Sequence, residues 1–256
     1  MPRILVVNDD GIDSEGIGAL ARALQPLGEV TVVAPDGDRS GTSHSISVHS
    51  AVRAQAMPDG DLRRFACSGT PADCVLLGVN ELCGGRPDLV VSGINRGANL
   101  ADDVNYSGTV AAAVEATIVR IPAIAVSLVS SWPKHDSVHY WDVAATVARQ
   151  LAVEVLREPL PPGTYWNVNV PNAAGLRGVR FTRLGRKQYA ERLARVEGDA
   201  DAGTAFYWVW DMSHLGGGDD TDTVAVDAGY ASVTPLQIDR TDEATLQRYA
   251  GRMLTA

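Results

Sequence analysis

The chain has 256 residues and a formal net charge of −9 at pH 7. A chain of this length can bury a substantial core, as one large α/β domain or as two small ones. The acidic balance argues against a nucleic-acid polymer as partner, because phosphate backbones require a basic protein surface. A small phosphorylated substrate remains compatible with it, since a metal ion and helix N-termini can supply a positive field locally.

The cysteines and the first residues indicate a cellular compartment. Cys67, Cys74 and Cys83 lack a C-x-x-C spacing, and their odd number without a secretory signal predicts reduced thiols. A strand pattern begins almost at the first residue and leaves no room for a targeting segment. No apolar run approaches the length of a membrane span. We therefore expect a cytoplasmic protein with no membrane partner.

The first strand organises the chain. Residues 4–7 are consecutive aliphatic residues, typical of a strand buried on both faces, and Asn8-Asp9-Asp10-Gly11 follows them. Ligands bind outside the carboxyl ends of strands in open α/β sheets. Two carboxylates about 4 Å apart repel by roughly 4 kcal/mol at an effective dielectric of ~20, so a shared site requires a bound cation or a raised pKa. The alternative is a simple turn, because neighbouring strand residues point to opposite faces and Asp-Gly is a common turn signal.

Strand and helix patterns then alternate along the chain. We predict strands at 29–34, 46–52, 63–67, 87–92, 123–128, 166–170 and 179–182, and helices at 13–24, 71–82, 110–119 and 142–156. Repeated strand–helix–strand units predict parallel pairing with right-handed crossovers. The expected fold is therefore α/β, with a Rossmann-like open, mostly parallel sheet and helices on both faces.

The last third of the chain has a different residue pattern, with short strands and glycine-rich loops in place of regular strand–helix alternation. Residues 185–210 are polar at first and aromatic later, which predicts a projecting β-hairpin that buries its aromatic end, plausibly against another subunit. A two-stranded excursion packed on its own domain is the alternative. A loop at 216–223, a short helix, a strand at 230–234 and a helix at 243–253 complete a C-terminal extension. We expect one domain over 1–256, with a core at about 1–184 and a hairpin and oligomerisation segment at 185–256.

Oxygen-bearing side chains follow three of the predicted strands. Asp9 and Asp10 end the first, Ser40 lies beyond the second, and Asn95 follows the strand at 87–92. Carboxylate, hydroxyl and amide oxygens suit hard cations such as magnesium or manganese, and water fills the open positions.

A second feature indicates an anion site. Ser107, Gly108 and Thr109 open a predicted helix, where free backbone amides and the helix dipole attract phosphate. An ordinary serine cap is the alternative. Together with the acid pair, an anion site at this helix N-terminus predicts metal-assisted phosphoryl transfer or hydrolysis. No Walker P-loop and no G-x-G-x-x-G turn occurs, so nucleoside-triphosphate and dinucleotide roles lose support.

Motifs in order along the whole chain carry a family resemblance. They are Asn8-Asp9-Asp10-Gly11, Arg39-Ser40-Gly41, Gly69-Thr70-Pro71-Ala72-Asp73-Cys74, Ser92-Gly93-Ile94-Asn95, Gly97-Ala98-Asn99, Tyr106-Ser107-Gly108-Thr109-Val110-Ala111-Ala112 and Gly229-Tyr230-Ala231-Ser232-Val233-Thr234-Pro235-Leu236. This ordered set resembles the stationary-phase survival protein family, SurE, whose members are metal-dependent 5′-nucleotidases. Two positions depart from the family pattern, since Ala101 and Ala116 stand where glycine is common.

The resemblance implies an activity, a cofactor and an assembly. It implies hydrolysis of nucleoside 5′-monophosphates, extending in some members to 3′-nucleotides and short polyphosphate. It implies a divalent cation, magnesium or manganese, held at Asp9, Asp10, Ser40 and Asn95. It also implies a homodimer or homotetramer, formed through the projecting hairpin and an exchanged C-terminal segment.

Roles within the site follow as hypotheses. Asp9 is the expected catalytic residue, either as a base toward water or as a nucleophile that forms an aspartyl phosphate. Asp10 and Asn95 mainly hold the metal, with Ser40 as a weaker ligand. The expected phosphate contacts are Asn99, Ser107, Gly108 and Thr109.

Two other classes of protein fit this sequence less well than a nucleotidase. A non-catalytic metal or nucleotide sensor would be shorter and would carry a lysine near the acids, but the only lysines are Lys134 and Lys187. A phosphatase with an Asp-x-Asp nucleophile would need a spacing that the adjacent Asp9 and Asp10 lack.

Overall fold

The computed structural model describes residues 1–58, 60, 62–130, 138–188, 192–196, 206–210 and 214–252. The strands are β1 (Arg3–Val7), β2 (Glu29–Pro35), β3 (Ala54–Met57), β4 (Arg63–Cys67), β5 (Leu89–Arg96), β6 (Ala123–Val129), β7 (Thr164–Pro171), β8 (Val179–Phe181), β9 (Arg186–Gln188), β10 (Arg192–Val196), β11 (Phe206–Trp210), β12 (His214–Gly216) and β13 (Ala231–Gln237). The α-helices are α1 (Glu15–Leu24), α2 (Pro71–Leu77), α3 (Gly108–Ile118), α4 (Trp141–Arg157), α5 (Asp222–Asp227) and α6 (Glu243–Tyr249).

Nine of these strands form one sheet in the order β3-β4-β2-β1-β5-β6-β7-β13-β8. The six strands from β4 to β7 are mutually parallel, while β3 and β13 pair antiparallel with their inner neighbours. The predicted α/β fold with a mostly parallel sheet is therefore confirmed. Strand order reverses between β1 and β5, and such a switch point opens a crevice at the carboxyl edge of the sheet.

Helices cover both faces of the sheet, as the aliphatic run at 4–7 predicts. Ile4 and Val6 point into a core shared with α1 and α4. Leu5 and Val7 point into the opposite core, which α2 and α3 cover. All four side chains have no exposed surface, so β1 is held from both faces and its carboxyl end is fixed in space.

The helix starts follow the local sequence. The Ser14 hydroxyl caps α1 by accepting from the backbone N–H of Ile17. Thr70 and Asp73 form a reciprocal capping box, and Pro71 occupies the first turn of α2. A π-helical turn (Gly78–Leu82) extends α2 to the predicted end at residue 82.

The predicted strand at 46–52 is wrong, because that segment forms no strand and β3 pairs with β4 instead. The reason is a competing side chain: Asp73 accepts from both the backbone N–H and the hydroxyl of Ser47, at 3.0 and 2.7 Å. A backbone N–H that donates to a carboxylate cannot also donate to a neighbouring strand.

Beyond residue 184 the described part of the chain contributes one strand to the main sheet and forms two small two-stranded sheets. Strands β10 and β11 pair antiparallel as a hairpin, and β9 pairs with β12. Parts of the predicted hairpin, at 189–191 and 197–205, lie outside the described residues. Strand β13 lies within the main sheet, so the core draws on both sides of the boundary predicted at residue 184. Within the described ranges, no helix combines the length and apolar character needed to cross a membrane.

Candidate active site

Asn8 shapes the turn that presents the two acids. Its side chain has no exposed surface, and its Nδ2 donates to the Gly11 carbonyl at 2.9 Å and to the Ser14 hydroxyl at 2.8 Å. These bonds join the end of β1 to the N-terminus of α1. Gly11 has φ +100°, a left-handed conformation that favours glycine. Asn8 stands in the Asn-Asp-Asp-Gly motif, but its positioning role was not predicted.

Asp9 is buried against the start of α3. Its Oδ1 accepts from the Thr109 hydroxyl at 2.5 Å, and the backbone N–H of Thr109 also favours the ionised carboxylate. Burial raises the pKa of Asp9 above its ordinary value, while the bonds from Thr109 oppose that rise. The carboxylate is therefore held by fixed donors in a site that disfavours its charge.

Asp10 lies beside Asp9 and faces β5. Its Oδ2 accepts from the backbone N–H of Arg96 at 3.0 Å. Burial, followed by the charge of Asp9, raises the pKa of Asp10 to about 6. The repulsion predicted for a shared site is therefore present, because the two carboxylates are close enough for the charge of Asp9 to act on Asp10.

A third carboxylate borders the pair and was missed from sequence. Asp38 contributes to raising the pKa of both Asp9 and Asp10. It accepts from the backbone N–H of Ser40 at 2.8 Å and from its hydroxyl at 2.6 Å. The Arg39 backbone N–H donates to the Asp9 carbonyl at 2.8 Å, which fastens this loop to the turn after β1. Ser40 thus lies on a loop that is fastened to the turn after β1, and its hydroxyl donates to Asp38.

Asn95 approaches from the end of β5. Its Nδ2 donates to the Gly97 carbonyl at 3.0 Å, so its Oδ1 is the atom left to bind a cation. The backbone N–H of the next residue, Arg96, donates to Asp10, so the end of β5 that carries Asn95 lies close to the acid pair.

Asn99 is buried in a network of amides. Its Nδ2 donates to the Ser127 hydroxyl at 2.8 Å, and its backbone N–H donates to Asn169 Oδ1 at 2.8 Å. Asn167 and Asn169 both donate to its carbonyl, at 2.8 and 3.0 Å. These bonds fix the loop between β5 and α3, and the second N–H of the Asn99 side-chain amide is the donor that they leave for a phosphate.

The hydroxyls at the start of α3 already have partners. Ser107 Oγ accepts from the Val110 N–H at 3.0 Å, and the Thr109 hydroxyl donates to Asp9. A Cβ at Gly108 would lie 2.8 Å from Asp9 Cβ and 2.9 Å from Asp9 Oδ2. Gly108 is therefore required for the close approach of the helix to the acid.

The loop before α3 is anchored from the far end of the chain. Asp222 has no exposed surface and accepts from the backbone N–H groups of Ala101 at 2.9 Å and Gly185 at 2.7 Å. Ala101 has φ +52°, which explains why glycine suits this position. Lys187 forms an ion pair with Asp103. The base of the hairpin region is thereby tied to the loop that leads to Ser107, a link that no local sequence signal indicated.

The donor set fits a hard divalent cation. Asp9, Asp10, Ser40 and Asn95 each offer a side-chain oxygen atom, and the charge of Asp9 raises the pKa of Asp10. In the part of the chain that the structure describes, no three His, Cys, Asp or Glu residues are grouped as metal ligands. Such a site suits an ion that keeps several waters, as magnesium does, rather than a fully protein-ligated zinc.

Fold and site together define an α/β protein with a carboxylate-rich site at the switch point of its parallel sheet. The family model "Survival protein SurE" matches residues 4–191, and the chain belongs to this family.

Curated relatives match over most of their length. The chain is 47% identical over 242 residues to "5′/3′-nucleotidase SurE" of Cronobacter sakazakii, covering 93% of this chain and 91% of that protein. It is 48% identical over 243 residues to "5′-nucleotidase SurE" of Syntrophotalea carbinolica, covering 93% and 92%. The crystal structure of the SurE protein from Aquifex aeolicus matches with a TM-score of 0.81 and 39% identity, over 96% of this chain and 98% of that one. The predicted family, fold class and nucleotidase class are confirmed by these matches.

Proposed function

We propose that this chain is a divalent-metal-dependent phosphomonoesterase that hydrolyses nucleoside 5′-monophosphates to nucleoside and phosphate. The observation that carries the proposal is the acid pair at the switch point, in which Asp9 is buried against the N-terminus of α3 and raises the pKa of the half-buried Asp10 beside it. The relatives named as nucleotidases support the substrate class, and two of them named for 5′- and 3′-nucleotides support a wider range. Short polyphosphate is a further candidate substrate.

Magnesium or manganese, held by Asp9, Asp10, Ser40 and Asn95, supplies Lewis-acid polarisation of the phosphoryl group when bound. Thr109 donates to Asp9 Oδ1, so Oδ2 is the oxygen left to act. Asp9 either takes a proton from the attacking water or attacks phosphorus itself. Backbone N–H groups at the start of α3, beginning with Gly108, orient the phosphate, and the Asn99 amide assists them. Acid quenching during turnover distinguishes the two routes, because only the nucleophilic route leaves a phosphoryl group covalently bound to Asp9.

The proposed setting is cytoplasmic, with the chain acting as a homodimer or homotetramer. Phe206 and Tyr207 support association through the hairpin, since their side chains are exposed in the isolated chain. A nucleic-acid polymer is not a proposed substrate, given the net charge of −9.

The proposal is tested by phosphate release from a panel of nucleoside monophosphates. We expect release with magnesium or manganese and its loss in excess chelator, with recovery when the metal is restored. A folded protein that releases no phosphate with either metal would refute the proposal and favour a metal or nucleotide sensor.

A further inference from the structure

Arg96 connects the acid pair to a second feature. Its backbone N–H donates to Asp10 Oδ2 at 3.0 Å, and its side-chain Nε donates to His139 Nε2 at 3.4 Å. His139 lies in the connection between β6 and α4, next along the same edge of the sheet. An imidazole ring thus lies one arginine side chain away from a proposed metal ligand.

His139 is stacked on a fixed indole. The rings of His139 and Trp141 have centroids 5.2 Å apart and an interplanar angle of 16°. Trp141 Nε1 donates to Glu15 Oε2 at 2.8 Å, and a Cβ at Gly16 would lie 3.0 Å from Trp141 Cζ3. The first turn of α1 therefore holds the indole in place. Neither ring has a part in the phosphate chemistry argued above.

Both rings line a cavity of about 870 Å³. Its lining also includes Glu15, Arg22 and Arg64. Small-molecule sites usually have volumes of roughly 300–1,000 Å³ and combine aromatic walls with a few polar groups. Its lining includes Ser14, whose hydroxyl accepts from Asn8 in the turn that carries the acid pair. The cavity therefore lies beside that turn, where it can receive the part of a substrate that extends away from a phosphate at Asp9 and Asp10.

We propose that His139, supported by Trp141, is the platform on which the nucleobase of the substrate stacks, and this rests on the proposed function. A flat heteroaromatic ring stacks favourably on an aromatic side chain regardless of its identity, because every base presents a π-face. Polar side chains in the same cavity can reach the edge of such a ring. The platform selects nucleotides over phosphomonoesters that lack a base, and larger purines bind more tightly than pyrimidines.

The experiment measures binding without relying on metal or turnover. Saturation-transfer NMR and calorimetry compare adenosine with ribose on the metal-free protein. His139→Ala should weaken adenosine binding by about tenfold, the usual effect of removing one base–aromatic stack. His139→Phe keeps a stacking face and should retain most of the affinity. His49→Ala, which removes an exposed loop histidine elsewhere, is the matched control and should leave adenosine binding unchanged.

Kinetics then separate this proposal from the nucleotidase itself. The ratio of kcat/KM for AMP to that for ribose 5-phosphate should fall about tenfold in His139→Ala. An unchanged ratio in a variant that hydrolyses AMP would overturn the platform and leave the nucleotidase standing. Base-dependent adenosine binding in a protein that hydrolyses no nucleotide would support the platform and refute the proposed hydrolysis. Equal adenosine binding by the wild type and His139→Ala would overturn the platform.

Discussion

Thr109 holds Asp9 across 100 residues of chain, with 2.5 Å between Thr109 Oγ1 and Asp9 Oδ1. Both side chains are buried, and the hydroxyl and the backbone N–H of Thr109 both oppose the rise that burial causes in the pKa of Asp9. The N-terminus of α3 carries a partial positive charge, which stabilises an ionised carboxylate in its first turn. The start of α3 thus serves the proposed catalytic acid itself, in addition to any phosphate.

Thr109→Val should lower kcat more than it raises KM. Valine has a similar shape but no hydroxyl, so Asp9 Oδ1 loses a charge-assisted bond worth about 1.5–3 kcal/mol. Because about 1.4 kcal/mol corresponds to a factor of ten, we expect the loss of this bond to lower kcat roughly tenfold or more. Thr109→Ser keeps the hydroxyl donor and should keep most of the rate. Steady-state phosphate release on both variants measures this. Equal rates for valine and serine variants would show that the hydroxyl has no part in positioning Asp9.

Gly108→Ala should damage activity through contact with Asp9. The new Cβ would lie 2.8 Å from Asp9 Cβ and 2.9 Å from Oδ2, so the carboxylate must move. A displacement of this size at a reacting group can cost about a hundredfold in rate. Gly175→Ala is the matched control, because its Cβ meets no atom within 4 Å. The assignment fails if both alanine variants keep wild-type kcat/KM.

Asp9→Asn should abolish turnover and leave the fold intact. The asparagine oxygen can still accept from Thr109, but it can neither take a proton nor attack phosphorus, so we expect at least a hundredfold loss of kcat. Removing one of two repelling buried charges should keep or raise the free energy of unfolding of the metal-free protein. Phosphate release and urea unfolding are measured together. Near-normal turnover in this variant would mean that Asp9 is not the catalytic residue.

The stability of the metal-free protein should depend on Asp10. Burial and the charge of Asp9 raise the pKa of Asp10 from 3.8 to about 6. Between those pH values the folded state binds more protons than the unfolded state, so the free energy of unfolding falls as pH rises through that window. The cost of the ionised carboxylate is fully present above pH 6 and amounts to at most about 3 kcal/mol.

Asp10→Asn removes this titration. The variant should therefore gain stability relative to the wild type between pH 4 and pH 7 when both are kept in chelator. Urea unfolding at several pH values measures the difference. A difference that stays constant across this range would mean that Asp10 has an ordinary pKa in the folded protein.

The sequence alone determined most helices and strands of the core and the edge of the sheet at which the acid pair lies. Consecutive aliphatic residues at 4–7 predict a strand buried on both faces, and the structure has β1 between two cores. Ser107 predicts the start of α3, and its hydroxyl caps that helix. These features are local, because strand burial and helix capping depend on residues a few positions apart. The ordered motifs likewise identified the family.

Only the tertiary structure decided which side chains meet. Asp9 and Asp38 follow different strands of the sheet. Both raise the pKa of Asp10, and this effect depends on how two loops close over the sheet. Asp222 bonds to Ala101 across 121 residues, and no spacing in the sequence indicates that contact. The prediction of a strand at 46–52 was wrong for the same reason, because Ser47 donates its backbone N–H and its hydroxyl to Asp73 on a helix more than twenty residues away. Local patterns set secondary structure and caps, whereas buried polar groups find their partners only when the chain is packed.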